Sequence, residues 1–339
     1  MENFRYRRAD TVEQAIRIAG AEQGARVRFL AGGTTLVDLM KLDVEAPDLV
    51  VDLNRLGLDR IEILSDGRVR IGAMVRNADL ARHPHIQARY AVLSQALLSG
   101  ASAQLRNMAT TGGNLLQRTR CVYFRDRDSA CNKREPGSGC PALGGHNRNL
   151  AVLGISQYCI ASHPSDMNVA LAALDAQVHM QGVDGPRTVA ARDFHLLPGD
   201  TPQHETVLRP GELITSVTLP PLAPGTRSSY LKLRDRASYE FALASAAVVV
   251  RAEGGRIVHA NVALGGVGTR PWRSPQAEQV LLGQVPGMPL YARAAEAALS
   301  TAVPQSENGF KIELARRCLA HALATTLPPT SAWESAYGQ

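Results

Sequence analysis

Four of the five cysteines in this chain, Cys121, Cys131, Cys140 and Cys159, fall in one short stretch, and the fifth, Cys318, is remote. Thiolates are soft ligands, and four of them suit an iron–sulfur cluster or a structural zinc. Two disulfides are the third option, open only in an oxidising compartment. Zinc sites usually carry a close C-x-x-C pair, which is missing here, so the spacing counts against zinc without deciding the matter. The connecting segment Asn132–Gly139 is polar and turn-rich and cannot build a core of its own. A ligated centre would supply the cross-links it lacks. Arg118, Arg120, Arg125, Arg127, Lys133 and Arg134 crowd the same stretch and read as a solvated face, with a docking surface or an offset to thiolate charge as the sharper reading. Cys318 sits in the apolar helical run Leu314–Leu323 and reads as a core thiol.

Two glycine loops share a second kind of chemistry. Leu30-Ala31-Gly32-Gly33-Thr34-Thr35 follows an apolar strand and opens a helix, so its amides and the helix dipole suit a phosphate. It is neither the dinucleotide G-x-G-x-x-G pattern nor a Walker A loop. Thr110-Thr111-Gly112-Gly113-Asn114 repeats the composition. Read singly, each is an ordinary tight corner or turn. Read as a pair, they match the two phosphates of a dinucleotide.

The elements that must hold these loops follow from periodicity. Residues 1–58 read as a small α/β unit: a strand at Phe4–Arg7, a helix with Val12, Ala15, Ile16 and Ala19 on one face and ended by Gly20 and Gly24, a strand at Val27–Ala31, and another at Leu49–Leu53. Residues 59–221 read as a second α/β unit, with hairpin turns at Asp66-Gly67 and Asp184-Gly185, Asn77 capping a short helix, and helices at Val92–Leu98 and Val169–Leu174. Pro220-Pro221 marks a boundary. Residues 226–329 then read as an antiparallel sheet with helices at Ala292–Leu299 and Ile312–Ala324. The fold class is α+β. The chain has 339 residues, 45% of them hydrophobic and 20% charged, as expected of a multi-domain globular protein. A net charge of +6 is too dilute to imply nucleic-acid binding. The run Phe241–Val250 is too short to span a membrane. Arg7-Arg8 precedes a polar helix start and not an apolar signal core, so no export signal is expected on this chain.

Ala31-Gly32-Gly33-Thr34, Thr111-Gly112-Gly113-Asn114, Ser165-Asp166, Gly211-Glu212-Leu213-Ile214 and Lys232 through Phe241-Ala242, in that order, resemble the FAD-binding subunit of the molybdenum hydroxylases, the xanthine dehydrogenase and carbon monoxide dehydrogenase family. Most members join the second glycine loop to the Ser-Asp pair by a shorter stretch. Here an insertion, residues 117–162, carries the cysteines. Gln104-Leu105-Arg106-Asn107 through Cys121, and Cys131-Asn132-Lys133-Arg134 through Cys140, are similar to the periplasmic aldehyde oxidoreductase type, whose FAD subunit holds an additional [4Fe-4S] cluster.

The resemblance implies a two-part FAD-binding domain of the PCMH type followed by a C-terminal flavoprotein domain. It implies that Arg28, Phe29, Leu30, Ala31, Gly32, Gly33, Thr34, Thr35 and Leu36 wrap the FAD pyrophosphate, and that Thr110, Gly113 and Asn114 complete the phosphate and ribitol contacts. Asp166 would lie near the flavin, Ile214 against the isoalloxazine, and Lys232 at its polar edge. Read alone, Asp166 is a helix N-cap, Ile214 a core strand residue and Lys232 a solvated strand lysine. The four clustered cysteines would ligate the [4Fe-4S] cluster. The implied function is electron transfer within a heterotrimer. A [2Fe-2S] small subunit would receive electrons from a molybdenum-cofactor large subunit that oxidises aldehydes to carboxylic acids, and FAD here would pass them to an external acceptor. No catalytic residue is expected on this chain. The location implied is the periplasm, reached by co-export with a signal-bearing partner.

Overall fold

The computed structural model describes residues 1–328, Gln23 excepted; Pro329, the end of the last expected domain, lies outside them. Three sheets organise the chain. The first is parallel: β1 (Arg5–Arg8), β2 (Val27–Leu30) and β3 (Leu49–Asp52), with β3 central. Its crossovers are the helices Val12–Ala21 and Leu36–Lys41. Thr11 caps the first helix through Gln14 N–H, and the helix runs past Gly20, where the sequence predicted its end. In parallel sheets ligands gather beyond the carboxyl ends of the strands. The first glycine loop leaves β2 at that edge.

The second sheet has β4 (Ile61–Ile63), β5 (Val69–Gly72), β6 (Gln177–Gly182), β7 (Gly185–Ala190) and β8 (Leu213–Leu219) in the order β4-β5-β8-β6-β7. Both predicted hairpins, β4–β5 and β6–β7, form. The third sheet is also antiparallel, with β9 (Arg227–Leu233), β10 (Ala244–Glu253), β11 (Arg256–Gly265) and β12 (Trp272–Arg273). Strand β10 is apolar from Ala246 to Val250 because both its faces are covered there. Ala247 and Val249 join the core of the second unit, while Ala246, Val248 and Val250 face the helices Met288–Ala298 and Phe310–Thr326. Cys318 belongs to that second core and is 1% exposed, a core thiol as expected.

Between the second and third sheets lies the helix Asp166–Ala173, all eight of its residues buried. Its cap is Ser165, whose hydroxyl accepts Asn168 N–H, so Asp166 is the first helical residue and not the cap the sequence predicted. Asn77 is likewise inside its helix, and the residue before it, Arg76, makes no side-chain cap. The cysteine stretch has almost no regular structure. It packs around its own small apolar cluster, in which the four cysteines sit with Leu39, Phe124, Ala142, Leu150 and Ile160. No helix among the described residues is long and apolar enough to cross a membrane.

Candidate functional site

The two glycine loops meet backbone to backbone. A Cβ on Gly32 would stand 1.9 Å from the Met108 carbonyl oxygen, so only glycine fits. A polar brace fixes this approach. Tyr6 donates to the Asp52 carboxylate, which orients Asn54; the Asn54 amide donates to Ala31 O at 3.1 Å and its oxygen accepts from Arg76 at 3.2 Å. Arg76 also donates to Met108 O. Asp52 and Asn54 stand at the carboxyl end of β3, which is why the parallel sheet can brace a loop that leaves its neighbour strand.

The loops are not equivalent. The amides of Gly32, Gly33, Thr34 and Thr35 find no protein acceptor among the described residues, and they precede the helix Leu36–Lys41. Unpartnered amides ahead of a helix suit an anion. The second loop is a short helix, Thr111–Leu115, rather than an open turn. Four of its five amides are bonded: Thr111 to Val75 O, Gly112 to Ala73 O, Gly113 to Thr110 Oγ1 and Asn114 to Thr110 O. Two loops of like composition thus differ, and among the described residues the first presents a run of unpartnered N–H groups and the second that of Thr110 alone.

Both loops open on one cavity of about 970 Å³, large enough for a dinucleotide cofactor. Of the expected FAD residues, Arg28, Phe29, Ala31, Gly32, Gly33, Thr34, Thr35, Leu36, Thr110 and Gly113 line it. Leu30, Asn114, Asp166, Ile214 and Lys232 stand outside that lining. Asn114 is bonded through Ser165, whose hydroxyl donates to its side-chain oxygen at 2.8 Å. Ile214 is core, 4% exposed. Lys232 is buried and not the solvated lysine its strand pattern predicted. Its ammonium reaches Asp166 at 2.8 Å and Ser99 O at 3.1 Å, and the Tyr230 hydroxyl donates to the other Asp166 oxygen.

Sequence reasoning missed two groups on the cavity wall. The imidazoles of His163 and His195 stack edge to face at 4.5 Å, and His195 Nε2 lies 2.9 Å from Leu115 O. Burial lowers both pKa values, His195 to about 4 and His163 well below its usual range. Both rings are therefore neutral at pH 7. His195 Nδ1 is buried without a partner. The second group is a run of ion pairs, Arg28–Glu45–Arg118–Glu205–Lys133, with separations of 2.9, 2.6, 2.5 and 3.1 Å. Burial pushes the Glu205 carboxyl up, but Lys133 and Arg118 outweigh it and hold it below its usual value. These residues are far apart in sequence, and no local pattern could have joined them.

Those pairs also correct the solvated-face reading for Arg118 and Lys133, while Arg127 is exposed as that reading expected. Arg118 and Lys133 have 20% and 10% of their side chains exposed. Arg125 pairs with Asp38, and Arg134 donates to the carbonyls of Tyr123, Phe124, Arg127 and Ser129. They fold the cysteine stretch from within.

Cys121, Cys131, Cys140 and Cys159 line one small pocket. The Ala161 amide donates to Cys159 Sγ at 3.5 Å, and nearby backbone amides favour the thiolate forms of Cys121 and Cys140. Such bonds favour ligating thiolates. Burial pushes the Cys121 thiol up to about 11 and raises Cys140 and Cys159, so free thiols here stay protonated. Among the described residues no three side chains of the metal-binding types gather closely enough for a single ion. Four sulfurs lining one pocket are a donor set that suits a thiolate-ligated centre.

Residues 2–222 match the family described as the FAD binding domain in molybdopterin dehydrogenase, and residues 228–326 the CO dehydrogenase flavoprotein C-terminal domain. The chain belongs to the FAD-binding subunits of the molybdopterin dehydrogenases, and it is a flavoprotein subunit of an oxidoreductase. It is 50% identical over 329 residues to the aldehyde oxidoreductase FAD-binding subunit PaoB of Escherichia coli, covering 96% of this chain and 98% of that one. It is 28% identical to the carbon monoxide dehydrogenase medium chain of Afipia carboxidovorans, over 90% of this chain and 89% of that one. A solved carbon monoxide dehydrogenase from Hydrogenophaga pseudoflava superposes with a TM-score of 0.76 at 27% identity, covering 96% of this chain and 97% of that one.

Proposed function

We propose that this chain is the FAD- and [4Fe-4S]-containing electron-transfer subunit of a three-subunit, molybdenum-dependent aldehyde oxidoreductase. The observation that carries the reading is the adjacency of two built sites: the cavity headed by the glycine loops and the pocket of four cysteines, which share Lys133, Cys159 and Ala161 in their walls. The 50% identity to an aldehyde oxidoreductase FAD-binding subunit supports the substrate class.

The residues divide the work. Gly32–Thr35 present free amides to a pyrophosphate, and the Tyr6–Asp52–Asn54–Arg76 brace keeps them in place. His163 and His195 offer a neutral polar wall that excludes bulk water from that side. Bound FAD supplies the capacity to accept electrons from an iron–sulfur partner and to release them to an external acceptor. The four thiolates would hold a [4Fe-4S] cluster, which adds a one-electron centre and cross-links a stretch with almost no regular structure. The aldehyde site belongs to a molybdenum-bearing large subunit, and the [2Fe-2S] centres to a small one. Periplasmic location by co-export is part of the same proposal, and fractionation of cells expressing all three subunits tests it.

The reading is tested by co-expressing the three subunits and following flavin absorbance under argon. Aldehyde should bleach the flavin only when both partners are present. Bleaching of the isolated chain by a reduced nicotinamide or an aldehyde would support a stand-alone flavin reductase instead.

A further inference from the structure

Lys133, Cys159 and Ala161 line both the FAD cavity and the cysteine pocket, and of these Lys133 alone carries a charge. Its ammonium stands 3.1 Å from Glu205 and donates to Pro202 O at 2.9 Å. Glu205 and Pro202 belong to the segment between β7 and β8 whose residues Gln203–Thr206 line the far wall of the FAD cavity. From Glu205 the alternating charges continue through Arg118 and Glu45 to Arg28, on the strand that feeds the first glycine loop.

The anchor of this strut is the cysteine stretch. Lys133 follows Cys131 by two positions, in a turn held by Cys131 N–H to Ser138 Oγ, Asn132 N–H to Gly139 O, and Gly139 N–H to Asn132 Oδ1. No strand or long helix supports that turn. Polar bonds of this kind are individually weak. A centre ligated by Cys131, Cys140 and their two companions would hold the turn far more firmly.

We propose that Lys133 is a positioning residue for FAD, acting through Glu205, and that ligation in the cysteine pocket fixes it in place, so that occupancy of the pocket and affinity for FAD are linked. The proposal rests on the cluster reading above. Linkage is reciprocal: FAD also favours retention of the metal centre. The insertion is then a clasp on the flavin cavity, and loss of iron loosens the flavin.

The test measures iron and the FAD dissociation constant, by fluorescence of released flavin, on the full chain with its bound partners. Lys133→Met should keep wild-type iron yet weaken FAD by about tenfold, within the usual range of coupling between sites. Lys133→Arg should restore most of that loss, which a merely structural defect would not allow. Cys140→Ser removes a thiol that lines only the cysteine pocket; it should lose iron and weaken FAD to a similar extent. The double variant should bind FAD no worse than Cys140→Ser alone, because both changes cut one path. Should Lys133→Met fail to fold, Glu205→Gln cuts the same strut from the other side. FAD affinity within twofold of wild type in Cys140→Ser, despite lost iron, would overturn the linkage, as would additive effects in the double variant. Absence of iron from the wild-type chain purified without oxygen would overturn the cluster reading itself.

Discussion

At the scale of single residues, the site depends on atoms that are absent as much as on those present. Gly32 has no room for a methyl group against Met108 O. Gly32→Ala is therefore expected to push the glycine loops apart, at about 1–3 kcal/mol of stability, and to yield protein purified without flavin; the flavin-to-protein absorbance ratio reads this directly. Lys232 and Asp166 are 3% and 8% exposed in their side chains. Lys232→Met leaves a buried carboxylate uncompensated and should cost about 3–5 kcal/mol in urea unfolding, with Asp166→Asn added to it recovering part of the loss. The histidines make a pH prediction. Burial holds the folded His195 near pKa 4 against 6.5 unfolded, and His163 is lowered too. The unfolded chain takes up protons first, so stability is complete above pH 6.5 and falls as pH drops toward 4. His195 alone accounts for roughly 3 kcal/mol over that window. Unfolding at pH 7 and pH 5 should show the drop, and His195→Asn should flatten it.

At the scale of elements, legibility in the sequence followed locality. The hairpins β4–β5 and β6–β7 were readable because Asp66-Gly67 and Asp184-Gly185 set their turns within a few residues. The strand–loop–helix setting of the first glycine loop was readable because a strand precedes it and a helix follows. The helical form of the second was not, because its amides are bonded to Val75 and Ala73, which only tertiary folding brings near. The clustering of four cysteines was plain, but the struts that fold their stretch were not, since Glu45 and Glu205 lie at great sequence distance from Arg118 and Lys133. An element-scale prediction follows from the lack of regular structure there. Stripping the pocket with an iron chelator and reductant should expose the segment Arg125–Gly139 to limited proteolysis, while β10 and β11 stay protected; mass spectrometry of the fragments reads which segment is cut.

At the scale of the whole molecule, the two halves are sewn together around the helix Asp166–Ala173 and around Lys311. That lysine is fully buried and donates to Asn149 O, Leu150 O and Gly266 O at 3.1, 2.9 and 2.6 Å. Three carbonyls accept from one Nζ, whose pKa burial pushes down to about 7. Lys311→Met would strand those carbonyls and should cost roughly 2–3 kcal/mol, read as a lower urea midpoint. The same lysine ties the end of the cysteine stretch to the glycine turn after β11, so the C-terminal domain also steadies the cysteine pocket. On the proposed reading one chain builds two adjoining cofactor sites, and the content of FAD, iron and acid-labile sulfide in the chain purified without oxygen, with the paramagnetic signal after reduction, tests it. One FAD with about four irons and four sulfides, as a four-thiolate cubane requires, and loss of that signal in Cys121→Ser, is the predicted result. FAD accompanied by zinc, or by no metal at all, would contradict it.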